Sequence, residues 1–272
     1  MKNSIIFIYI LMTSSHLICQ ETDFQKAEQA ITVLAKTILN GETDSLRNEA
    51  NDELTNYLLK IINTQKAYQY PFGQIEHVSV LQPKNKKFKL FTWFVPYVNG
   101  SFEYYGIIQT CNKRGKKCQT YQLKKNRNLE QKDVYTELNY DEWYGCLYYD
   151  IIPIKINKVQ YYTLLGWDGS NITTTKKIIE ILTIDKNKKP IFGANIFNST
   201  KQRFLIEYSS KHPISLQYDK ELESIVFDHL EPIDGVSQNN FSIYATNLSY
   251  DILKKTDFGW KLETNIYLNN IE

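Results

Sequence analysis

Phe88-Lys89-Leu90-Phe91-Thr92-Trp93-Phe94-Val95-Pro96-Tyr97-Val98-Asn99-Gly100-Ser101-Phe102-Glu103-Tyr104-Tyr105-Gly106-Ile107-Ile108 decides the fold class. Phe88, Leu90 and Thr92 alternate with Lys87, Lys89 and Phe91, and a period of two belongs to a strand with one face on a core. Asn99-Gly100 breaks the pattern with residues that tolerate positive φ, and Phe102 to Ile108 resumes it, so the pair reads as a β-hairpin. The same rhythm predicts strands at 117–123, 143–151, 158–167, 178–185, 190–196, 202–209, 213–219, 223–230, 241–246 and 258–268. Strands do not alternate with long helices, which excludes a doubly wound parallel sheet. The expectation is a mainly β, antiparallel body over residues 69–272, built as a meander, a sandwich or a barrel.

Upstream of this body the period is helical. Phe24, Ala27, Ile31, Leu34, Ala35 and Ile38 share one face, with Asp23 fit to cap the start and Gly41 to stop the helix. A second helix, from Asp44 to Lys66, aligns Leu46, Leu54, Leu58, Ile61 and Ile62. The short link between them predicts an antiparallel helical hairpin over residues 20–68, packed with the β body as one unit.

Lys2, the apolar run from Ile5 to Met12 and the polar stretch Thr13 to His16 have the layout of a cleavable secretory signal over residues 1–19, cut before Gln20. The apolar run falls short of the ~20 residues that span a bilayer. Lipidation of Cys19 is the rival reading, opposed by Ile18, where lipoprotein signals favour a small residue. Export, to the periplasm or the exterior, is therefore expected. No later segment is apolar enough to form a helical membrane span. Lys2 is the only charge in the signal, so the remaining chain carries 31 basic against 30 acidic residues, no footprint for nucleic acid. The lysine clusters Lys113 to Lys117 and Lys186 to Lys189 read as solvated turn tips. A chain that is 42% hydrophobic and 14% aromatic is a folded one.

Tyr70-Pro71-Phe72-Gly73, Phe91-Thr92-Trp93, Gly100 to Gly106, Tyr161 to Gly169, Phe204 to Ser209 and Ile225 to Leu230 together resemble a family of exported Gram-negative bacterial proteins of unknown function. The resemblance implies an exported protein with a helical start and a strand-rich body. It carries no catalytic assignment. Trp93 to Gly106 and Trp143 to Gly166 are also weakly alike, each with a Trp, a Tyr pair and a Gly, but no fixed period makes them a repeat.

Cys111 and Cys118 flank a six-residue loop centred on Gly115 between two strands, and an oxidising compartment favours a disulfide between them, with Cys146 left free among apolar neighbours. His77 falls in an expected strand, His212 in a turn before Pro213 and His229 near a strand end. No HExxH, Cys/His cluster or GxSxG appears, so neither a metal, another cofactor nor an activated serine is expected. Asp150, Glu180, Glu207 and Asp228 are acids within apolar strand phrases, candidates for a two-carboxylate hydrolase but more simply outward-facing. Five Asn-x-Ser/Thr triplets, starting at Asn99, Asn171, Asn198, Asn240 and Asn247, match glycosylation acceptors and, in a chain so rich in Asn, also chance. Trp167-Asp168-Gly169 is expected to form a structural turn in which Gly169 takes positive φ and Trp167 enters the core. The rival is a calcium loop using Asp168, Ser170, Asn171 and Thr173 to Thr175. The functional expectation is a binding or structural module with an envelope glycan or protein as partner. The alternative is a carboxylate-dependent hydrolase of glycan or peptide, which would need two acids facing each other across a cleft.

Overall fold

The structure is a computed structural model that describes residues 23–112, 117–125, 134–236 and 238–267. The expected signal, residues 1–19, and loop residues 113–116 between the two cysteines lie outside the described residues. Helix α1 covers 23–40. Helix α2, Asp44–Ile62, starts where the Thr43 hydroxyl accepts from the Leu46 amide at 3.2 Å. The expected second helix continued to Lys66, but the chain breaks at Asn63-Thr64 and restarts as α3, Gln65–Gln69. Thr64 causes the break: extended at φ −132°, it turns its hydroxyl onto the Ala67 amide and caps a new helix. Leu54, Leu58 and Ile62 are fully buried, whereas Leu46 is exposed. Residues four apart drift by about 40° per step, so a stripe centred on Ile62 has turned away from the core by Leu46.

The first sheet is an antiparallel meander of β1 (Ser79–Leu81), β2 (Phe88–Pro96), β3 (Phe102–Cys111) and β4 (Cys118–Leu123), in that order. Alternation gives it two buried faces. Phe91, Trp93, Val95 and Ile107 pack on α1 and α2, while Phe88, Leu90, Tyr104 and Ile108 pack on the second sheet. That second sheet contains β5 (Leu138–Asn139), β6 (Leu147–Ile156), β7 (Val159–Asp168), β8 (Thr174–Ile184), β9 (Pro190–Phe192) and β10 (Arg203–Ser209). One edge of β8 pairs with β7; its other edge pairs with β10 along 174–180 and with β9 along 182–184. The strand expected at 143–151 is displaced to 147–156, because Gly145 at φ +87° turns the chain just before it. Trp143 therefore precedes β6 while Trp93 lies within β2, so the two weakly alike stretches do not occupy equivalent positions.

The third sheet is the meander β11 (Leu216–Asp219), β12 (Ser224–Pro232), β13 (Tyr244–Thr256) and β14 (Gly259–Ile266). β13 extends ten residues beyond the strand expected at 241–246, and residues 241–243 form a 3-10 turn instead. Ile225, Phe227, Leu253 and Trp260 pack on Ile152, Ile154, Leu165 and Ile179 of the second sheet. The body is thus a stack of helices, sheet, sheet and sheet. It is mainly β and antiparallel with an N-terminal helical pair, and among the described residues it forms no closed barrel. Polar pins join the layers. Trp93 Nε1 donates to Asn51 Oδ1 at 2.8 Å between helices and first sheet, Tyr148 N to Thr92 Oγ1 at 3.2 Å between first and second, and Trp260 Nε1 to Thr163 Oγ1 at 2.8 Å between second and third.

Candidate functional site

Cys111 and Cys118 sit opposite each other in the β3–β4 register, with Cα atoms 4.1 Å apart and sulfurs at disulfide-bonding distance. Cys146 is free and buried, and burial pushes its thiol well above the ordinary range, which disfavours the thiolate. Trp167 and Asp168 end β7, with the Trp167 ring 5.4 Å from Phe94 and 5.5 Å from Phe102. Positive φ was expected at Gly169 and falls instead on Ser170 (φ 53°). Gly169 serves a different need: a Cβ there would lie 2.5 Å from the Phe102 ring. Asp168 is nearly buried, accepting from the Ser170 amide at 2.8 Å and the Tyr144 hydroxyl at 3.1 Å. Asn171 Oδ1 accepts from the Thr173 and Thr174 amides. The Asp168 and Asn171 oxygens proposed for calcium thus accept from local donors.

Each of the four candidate acids is held by partners of its own. Glu180, expected to face solvent, is fully buried between the first two sheets, where Arg203 Nε meets it at 2.6 Å and the Tyr148 hydroxyl donates to its other oxygen. The cross-strand register causes this, because Arg203 stands directly opposite Glu180 on β10. Asp150 accepts from Ile151 N, Glu207 from Thr174 Oγ1 and Asp228 from Ser215 N, at 2.7 Å each. His77, expected in a strand, is exposed in an irregular bend at φ 65°. His212 is exposed in its turn. His229 pairs through Nδ1 with Asp251 at 2.7 Å, with Glu231 at 3.6 Å from Nε2. That pairing was invisible locally because it spans β12 and β13.

An open cleft of about 750 Å³ lies where the first two sheets meet beside α3. One wall is the turn between β1 and β2, with Asn85, Lys86 and Lys87; the other is the turn between β8 and β9, with Asp185, Lys186 and Lys188; Tyr68, Gln69, Cys111 and Asn112 complete the lining. The walls are fixed in place. Thr110 Oγ1 donates to Lys188 O at 3.1 Å, Asn85 Nδ2 to the Tyr162 hydroxyl at 2.8 Å, and Tyr68 OH to Lys86 O at 2.6 Å. Among the described residues the lining holds four lysines and one carboxylate, Asp185, which accepts from Lys189 N at 2.7 Å. Among the described residues none of the four lysines makes an ion pair; Lys188 Nζ donates to Lys117 O at 3.2 Å. Behind Tyr68, Lys89 is fully buried on the helix side of the sheet, donating to Ala67 O and Tyr70 O, and burial with the Lys86 charge lowers it to about 8. Sequence reading took Lys186 to Lys189 for a solvated tip and did not single out Lys86 or Lys87. The only local signal was Pro83-Lys84-Asn85-Lys86-Lys87, a second basic turn. No family model, no curated protein and no solved structure matches the chain.

Proposed function

We propose that this chain is an exported binding module that takes a glycan or protein ligand of the cell envelope into the cleft between the two basic turns. The observation that carries this reading is the composition of the cleft. Among the described residues it has charged heads on fixed walls to hold a ligand and a single carboxylate, where a glycoside hydrolase ordinarily places two. Binding needs placed groups on rigid elements, and two turns braced across a sheet junction supply them. The test is retention without turnover. Envelope glycan passed over immobilised protein should be held and recovered uncleaved, and Gln69→Trp, which fills the exposed lining without changing charge, should abolish retention. Release of reducing ends by the wild type would establish the hydrolase instead.

A further inference from the structure

We infer that the cleft selects an anionic glycan segment, one bearing phosphate or carboxylate oxyanions, through Lys86 and Lys87 on one wall and Lys186 on the other. This rests on the binding reading above and names its ligand class. The whole chain is almost balanced in charge, at +2, so gathering these lysines around one concave surface makes a local field in an otherwise neutral protein. Lys86, Lys87 and Lys186 are exposed, and Lys188 is half-buried with its ammonium spent on Lys117 O, bracing the wall. Asp185 offsets only one of these charges, so among the described residues the excess at the cleft stays positive. The buried Lys89 registers that field, because the Lys86 charge adds to burial in lowering its affinity for a proton.

Saccharide is favoured over an acidic peptide by the kind of wall. The lining comes mostly from turns and from the exposed Gln69 amide, so an extended peptide finds no long strand edge to ladder onto. Gln69 offers a donor and an acceptor on one group, which suits sugar hydroxyls.

Calorimetric titration of the full protein with trigalacturonate, tripolyphosphate, neutral maltotriose and triglutamate tests this. Trigalacturonate or tripolyphosphate should bind, with affinity falling steeply between about 50 and 200 mM salt. The tighter of the two assigns carboxylate or phosphate as the oxyanion. The double variant Lys86→Glu/Lys87→Glu should weaken binding by about tenfold or more without lowering the melting temperature, since both side chains are exposed and the reversal relieves the repulsion on Lys89. Maltotriose binding as tightly, triglutamate binding more tightly, or indifference to the double reversal would each overturn the assignment. If envelope glycan is still lost on Gln69→Trp but is indifferent to charge reversal, binding at the cleft stands and only the anion falls. If neither variant affects retention, both readings fall.

Discussion

Single residues decide two points that composition could not. At Gly169 the constraint is the Phe102 ring, so Gly169→Ala should cost about 1–3 kcal/mol by overpacking, and the cost should shrink in a Phe102→Ala background. A double-mutant cycle by denaturant unfolding reads this, and an unchanged cost would return the constraint to backbone angle. The same geometry revises Asp168→Asn. Asp168 is nearly buried and accepts from Tyr144 as well as Ser170, so losing its charge should destabilise by about 1–2 kcal/mol, measurable by thermal melts without any calcium dependence. Lys89 adds a pH dependence. Its folded pKa of about 8 lies below the ordinary lysine value of 10.5, so above pH 8 the unfolded chain holds the extra proton and stability should rise with pH. Buried tyrosines such as Tyr68 are shifted upward and oppose this once unfolded tyrosines ionise near pH 10. The window is therefore about pH 8 to 9.5, where wild type should gain about 1–2 kcal/mol that Lys89→Met does not. Parallel slopes for the two proteins would mean Lys89 stays charged.

Among elements, β8 is the pivot, because β9 and β10 share one of its edges. Where that edge changes partner, Arg203 bonds Glu180 and donates to Phe192 O at 3.2 Å on β9, so one guanidinium ties all three strands. Truncating one member of a fully buried pair strands the other, and Arg203→Ala should cost about 3–5 kcal/mol. Replacing both by apolar residues should cost less, and urea unfolding of the two variants separates register specification from net stabilisation. The β3–β4 hairpin depends on a different tie. Cys111→Ser/Cys118→Ser should lose about 2–3 kcal/mol, the modest gain of closing a short loop, with Cys146 remaining alkylatable only after unfolding. Helical and strand periods made most elements legible. The breaks at Thr64 and Gly145 were not, since one hydroxyl or one backbone angle outweighs a continuing apolar pattern there.

For the whole molecule, the stack of layers means that each sheet is stabilised mainly by its neighbours. Trp260 is fully buried at the contact between second and third sheets and donates to Thr163. Trp260→Ala should cost about 3–5 kcal/mol, and hydrogen exchange should show β11–β14 losing protection before the helices and first sheet do. Simultaneous loss in all layers would mean that the stack unfolds as one unit. The sequence by itself determined the local periods: helices first, antiparallel strands after, and a cysteine pair spaced for a hairpin. These follow from spacing along the chain, where each residue's face is set by its neighbours. Only the tertiary structure decided that the sheets stack without closing, that Glu180 is buried against Arg203, and that the basic turns at Lys86-Lys87 and Lys186 to Lys188 converge on one cleft. Those facts join residues far apart in the chain, and a charge exposed on a turn looks the same in sequence whether it faces open water or another turn's lysines.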